Sequence, residues 1–296
     1  MFDTSVPRDY ATRRVVPALR NRSQHDTRTA FKTPVSRTMK IELISQWPTS
    51  PTHVTPILFV HGAACAAWCW SEHFLPFFAQ NGYVSHALSL RGHGGSEGRS
   101  RLHWASITDY VQDVAQAVAA VGQEPVFVAH SMGGLVLQHY LGMHTAPAAV
   151  LMASLPHTGL AWRRAGLMLR QLAMSGLNSL TGKPSQRTLR SLFAGELADE
   201  RLRHYQGLVQ PESLRACLEI AAGHLPHPGR VRTPMLILAA EGDCLLSPAE
   251  MYGLAHAYRA DLEVVPNIGH VMMLDAGWER AAERILAWLS RVPGLL

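Results

Sequence analysis

The segment Pro125–Gly134 constrains this chain more than any other. Pro125-Val126-Phe127-Val128-Ala129 is a short apolar run of the buried-strand type, and helical spacing resumes at Ser131 and runs to about Met143. That leaves no room for a loop. Ser131 must occupy a sharp strand-to-helix turn, a strained position that lifts its hydroxyl above the sheet. Chains approach closely at such a turn, so small residues are needed two positions before and two after the serine, and Ala129 and Gly133 meet that need. The helix start also aims backbone N–H groups at any developing negative charge. A serine N-cap on a glycine-rich turn is the plain structural alternative.

The same alternation of strand and helix runs along the chain. Strands are expected at Ile41–Ser45, Pro56–Val60, Tyr83–Leu90, Pro125–Ala129, Ala149–Ser154, Pro234–Ala240 and Asp261–Pro266. Helices are expected at Trp70–Gln80, Ile107–Val121, Ser131–Met143, Pro248–Tyr258 and Trp278–Leu289. This order implies an α/β chain with a mostly parallel central sheet and helices on both faces. Connections in such sheets usually run to about 2–6 residues. The long gap over residues 156–232 is therefore read as a helical cap insertion, helical over 160–180 and 187–222. Residues 40–155 and 233–296 make the core.

Charge divides along the same lines. Residues 1–40 carry nine basic and three acidic side chains, residues 157–232 eleven and five, and the remainder seven and fourteen. Residues 1–39 are rich in Arg and Thr with no hydrophobic period, and are expected to be a disordered basic tail. Met39-Lys40-Ile41-Glu42 opens the patterned part, which makes Met39 the simplest start of the folded body. No run approaches the roughly 18 apolar residues of a bilayer span, and no secretory-signal pattern opens the chain. Nucleic-acid binding is not expected, because no recognition element accompanies the basic tail. Four cysteines are too few for a disulfide scaffold and make no zinc cluster, which fits a reducing, cytoplasmic setting.

A serine hydroxyl is a weak nucleophile and needs an adjacent base. With sixteen histidines, residue type alone says little, but His270 closes Asn267-Ile268-Gly269-His270 directly after the last strand. The orienting acid is expected on the loop after the preceding strand, where Glu241-Gly242-Asp243 stands; Asp243 is the first choice and Glu241 the second. The order Ser131, Asp243, His270 is nucleophile, acid, base. An oxyanion hole needs two N–H donors: Met132 follows the nucleophile, and Ala63 lies in the early loop His61-Gly62-Ala63-Ala64.

These segments, with Arg91-Gly92-His93-Gly94-Gly95-Ser96, make residues 41–292 resemble the alpha/beta-hydrolase fold superfamily, of the serine esterase and lipase-like, capped type. Ala67-Trp68-Cys69-Trp70 is similar to the methylesterase and hydroxynitrile-lyase-like branch. Members often carry an Asp two residues before the loop arginine; here Ser89 stands there, and His93 is read as a structural loop residue. The resemblance implies an acyl-enzyme mechanism on a small-molecule carboxylic ester, lipid-like or aromatic, with no metal or organic cofactor. An acyltransferase or thioesterase, a cofactor-free C–C hydrolase or lyase, and a non-catalytic ligand-binding protein are the alternatives. Trp162 and His130 are expected as substrate-binding residues. Were Arg163, Arg164 and Arg170 to line the entrance, they would attract anionic substrates. The oligomeric state is left open.

Overall fold

A computed structural model describes residues 11–16, 39–158, 184–223 and 225–295. Its sheet has eight strands: β1 (Ala11–Val16), β2 (Ile41–Gln46), β3 (Ile57–Val60), β4 (Ser85–Ser89), β5 (Val126–His130), β6 (Ala149–Met152), β7 (Met235–Ala240) and β8 (Asp261–Val265). Their spatial order is β1-β2-β4-β3-β5-β6-β7-β8. From β4 across to β8 every pairing is parallel, and β1 and β2 add an antiparallel edge.

β3, β5, β6 and β7 are buried along their whole length, as a sheet covered on both faces requires. Alternate residues of one strand feed opposite cores. Ile57 and Phe59 join Trp70, Phe74, Phe78, Ile285 and Trp288 on one face; Leu58 and Val60 join Val111, Val114, Leu135 and Leu254 on the other. The first layer comes from α1 (Trp68–Ser71), α2 (Phe74–Gln80) and α9 (Trp278–Leu289), the second from α3 (Ile107–Val121), α4 (Met132–Leu141) and α8 (Pro248–Tyr258). Capping boxes start α3 (Ser106 with Asp109) and α8 (Ser247 with Glu250).

Three expectations need correction. Ala11–Val16 lies in the segment expected to be a disordered tail, yet forms β1 on the exposed edge of β2. Thr12, Arg13 and Arg14 are exposed, so backbone pairing holds this strand, and no apolar period announces it. Arg13 also pairs with the buried carboxylate of Glu42. The helix expected from Trp70 to Gln80 is two helices. Within one continuous helix Pro76 would clash with the preceding turn; by restarting at Phe74, the chain puts Pro76 in a first turn, where its missing N–H is harmless. The helical stretch 187–222 is likewise three short helices: α5 (Gln186–Arg190), α6 (Asp199–Leu208) and α7 (Leu214–Ala221). Pro211 lies between the last two, and Ser213 caps α7. The expected helix over 160–180 lies outside the described residues.

The departure at Ser89 has a structural answer. Glu42 on β2 supplies a carboxylate to the same loop: its Oε2 accepts from Ser89 Oγ at 2.7 Å and from the Gly95 N–H at 2.7 Å. Among the described residues no helix is long and apolar enough to cross a membrane.

Candidate active site

Ser131 sits between β5 and α4 with φ 52° and ψ −119°, a left-handed backbone that L residues rarely adopt. Its N–H donates to Met152 O on β6, and its carbonyl accepts from Gly134, Leu135 and Leu155, so the strained turn is held from three sides. Gly133 has no alternative here: a Cβ would stand 2.3 Å from the His61 carbonyl oxygen.

The turns after β7 and β8 bring the other two residues to the serine. His270 Nε2 is 3.1 Å from Ser131 Oγ, and His270 Nδ1 is 2.8 Å from Asp243 Oδ2. A carboxylate can only accept, so Nδ1 carries the proton and Nε2 is left to accept from the serine. Asp243 Oδ1 accepts the Leu245 and Leu246 N–H groups at 2.7 and 3.0 Å. Burial alone would raise the Asp243 carboxyl, but the imidazole and these amides outweigh it and hold the group below the ordinary carboxylate range. Glu241, the competing acid, is exposed and accepts the Asn267 N–H at 3.0 Å, so it braces the histidine loop and does not touch the ring. Gly269 serves closeness more than turning, since a Cβ would lie 2.4 Å from Leu192 O in the stretch after α5.

The Ala63 and Met132 amides donate to no described group. Ala63 lines a cavity of about 250 Å³ together with Ser131 and His270. The described wall is mostly apolar, with Trp68, Leu189, Leu192, Phe193 and Leu274, and it carries no Lys or Arg. His130 also reaches this wall, but its Nε2–H donates to the His270 carbonyl at 2.9 Å, and burial, reinforced by His270, pushes the ring down to about 3. It stays neutral and braces His270. Trp162, Arg163, Arg164 and Arg170 lie outside the described residues. Among the described residues, no group of three or more His, Cys, Asp or Glu could hold a metal ion.

A second buried histidine–carboxylate pair lies beside the first. His93 Nε2 is 3.3 Å from Glu212 Oε2, and both side chains are almost fully enclosed. Glu212 Oε2 also accepts the Ala64 N–H at 3.0 Å, while its Oε1 accepts from Tyr110 OH at 2.6 Å and the Ser213 N–H at 2.7 Å. Burial opposes ionisation of Glu212, yet His93, Tyr110 and Ser213 together bring it down to about 2. Burial would lower His93, and Glu212 beside it more than reverses that, so the ring is raised above its ordinary value. No sequence motif marks Glu212. Its one trace is an acidic residue in a basic insertion, between a helix-stopping Pro211 and the N-cap Ser213.

Comparison with known proteins adds the family context. A model described as the alpha/beta hydrolase family matches residues 57–284. Methyl jasmonate esterase 1 of Vitis vinifera is 32% identical over 80 residues, covering 26% of this chain and 30% of that protein. A probable esterase of Oryza sativa subsp. indica is 34% identical over 109 residues, covering 34% of this chain and 40% of that protein. These matches thus span less than half the length of either relative. Among solved structures, a thermophilic esterase from Thermogutta terrifontis superposes with a TM-score of 0.70 at 19% identity, covering 88% of this chain and 96% of that one.

Proposed function

The chain belongs to the alpha/beta hydrolase family, and on that premise we propose that it hydrolyses carboxylic esters through Ser131, His270 and Asp243. The contact that carries this reading is Ser131 Oγ at 3.1 Å from a His270 nitrogen whose partner nitrogen is held by a buried aspartate. The esterase names of the plant relatives point the same way.

The chemistry follows from the proton positions. Ser131 Oγ attacks the ester carbonyl carbon while its proton passes to His270 Nε2. Asp243, held ionised, keeps the Nδ1–H tautomer and stabilises the imidazolium. The carbonyl oxygen becomes an oxyanion facing the Ala63 and Met132 amides, whose donors are uncommitted. His270 Nε2–H then protonates the departing alkoxide, leaving an acyl ester on Ser131. Water then gives a proton to Nε2 as it attacks that ester, and Nε2–H returns the proton to Ser131 Oγ as the acyl–oxygen bond breaks, which releases the acid and the free serine.

The described wall favours a neutral ester with an apolar acyl or alcohol group, because it offers Trp68, Leu189, Phe193 and Leu274 and no cation beyond the histidines. Hydrolysis of p-nitrophenyl acetate, butyrate and octanoate by wild type and Ser131→Ala tests the assignment. The variant is expected to fold normally and to lose at least about 10³ in kcat/KM. Retention of more than about a tenth of the wild-type rate would remove Ser131 from the chemistry.

A further inference from the structure

We propose that Glu212 is a positioning residue for the oxyanion loop: it clasps the Ala63–Ala64 turn from the insertion between β6 and β7, with His93 as its counter-ion. The inference rests on the ester-hydrolase reading above and concerns how its oxyanion donor is held.

Ala64 lies at φ 61°, in the left-handed region where an alanine persists only if its surroundings over-determine it. Both of its backbone polar groups are engaged by one short stretch of the insertion. The Ala64 N–H donates to Glu212 Oε2 at 3.0 Å, and the Ala64 carbonyl accepts the Gln210 N–H at 3.0 Å. The Gln210 side chain in turn accepts the Gly94 N–H at 2.9 Å, tying the same stretch to the loop that carries His93. The neighbouring Ala63 lines the cavity, and its amide donates to no described group, which leaves that donor free beside the clasped peptide. An ionised carboxylate so near a nascent oxyanion would repel it; His93 at 3.3 Å cancels that charge. The arrangement also explains why a glutamate stands here. A carboxylate accepts Ala64, Tyr110 and Ser213 at once, whereas an amide turned either way presents N–H to one of these donors. Docking of the Gln210–Glu212 stretch and assembly of the oxyanion hole are then one event, felt in the transition state more than in ground-state binding.

The test follows Glu212→Gln by the rate of fluorophosphonate labelling of Ser131 and by kcat and KM for p-nitrophenyl butyrate. Labelling rate and kcat are expected to fall roughly ten- to hundredfold, less than for outright loss of an oxyanion donor, with KM within about twofold. Tyr110→Phe, which removes one oxygen from the clasp and does not line the cavity, should slow labelling about two- to fivefold. A wild-type labelling rate in folded Glu212→Gln, or a change confined to KM, overturns the proposal. Should Glu212→Gln not fold, unchanged labelling of Tyr110→Phe overturns it. If wild-type Ser131 is not labelled at all, the ester-hydrolase reading has failed; if it is labelled but insensitive to Glu212, only this inference has.

Discussion

His270 and His93 invite comparison because they share so much. Both are buried, both follow the carboxyl end of a strand, and both face a carboxylate within 3.3 Å. They differ in what the rest of the ring can reach. His270 gives Nδ1 to Asp243 and turns Nε2 onto Ser131 in the cavity. His93 turns Nε2 onto Glu212, while its Nδ1 lies 3.1 Å from the Arg91 carbonyl, so neither nitrogen meets a nucleophile. A histidine–carboxylate pair is thus an acid–base device only when one nitrogen is left facing a reactive atom; with one nitrogen on a backbone carbonyl and the other beside an enclosed carboxylate, it is a contact between loops.

The largest expected contrast comes from removing the two carboxylates near His270. Asp243→Asn should lower kcat/KM on the order of 10³–10⁴, because an amide no longer enforces the productive tautomer. Glu241→Gln, on an exposed brace, should stay within about twofold. A reversal of that ranking in ester hydrolysis assays would make Glu241 the orienting acid.

Stability should divide the pairs the other way. Removing one partner of a buried ion pair costs about 3–5 kcal/mol, so His93→Gln should lower the melting temperature by several degrees. The smallest effect is the pH dependence of that loss. The folded pKa of His93 is raised above its unfolded value of about 6.5. Its stabilisation is therefore complete below about pH 6.5 and lost as pH rises through the raised value. The melting-temperature gap between wild type and His93→Gln should be widest below about pH 6.5 and narrow as the solution is made more alkaline. A gap that stays constant would mean that His93 is not charged in the fold.

The same contrast marks what could be read from the sequence. Ser131, Asp243 and His270 each lie within five residues of a strand's end, and β5 and β7 announce themselves by apolar composition, so the order of elements points to all three positions. The sequence ranks Asp243 ahead of Glu241, and the structure adds which of the two turns inward: Asp243 reaches His270 Nδ1, while Glu241 accepts the Asn267 N–H. Glu212 left no such mark. It comes from an insertion whose short helices are set by Pro211 and Ser213, and its partners Ala64, His93 and Tyr110 are all more than 100 residues away in the chain. β1 was hidden for another reason: its described side chains are polar and exposed, and its pairing with Ile41–Gln46 is a property of backbone. Glu42 carries no motif of its own, because it supplies from a neighbouring strand a carboxylate expected two residues before Arg91.

The most direct test of the account is the position of a covalent label. Wild-type protein treated with a fluorophosphonate until p-nitrophenyl butyrate hydrolysis stops should carry one adduct, which peptide mapping places on Ser131, with residual activity falling in proportion to labelling. Complete inactivation with the adduct elsewhere, or full activity with Ser131 fully modified, would contradict a nucleophile at the β5–α4 turn.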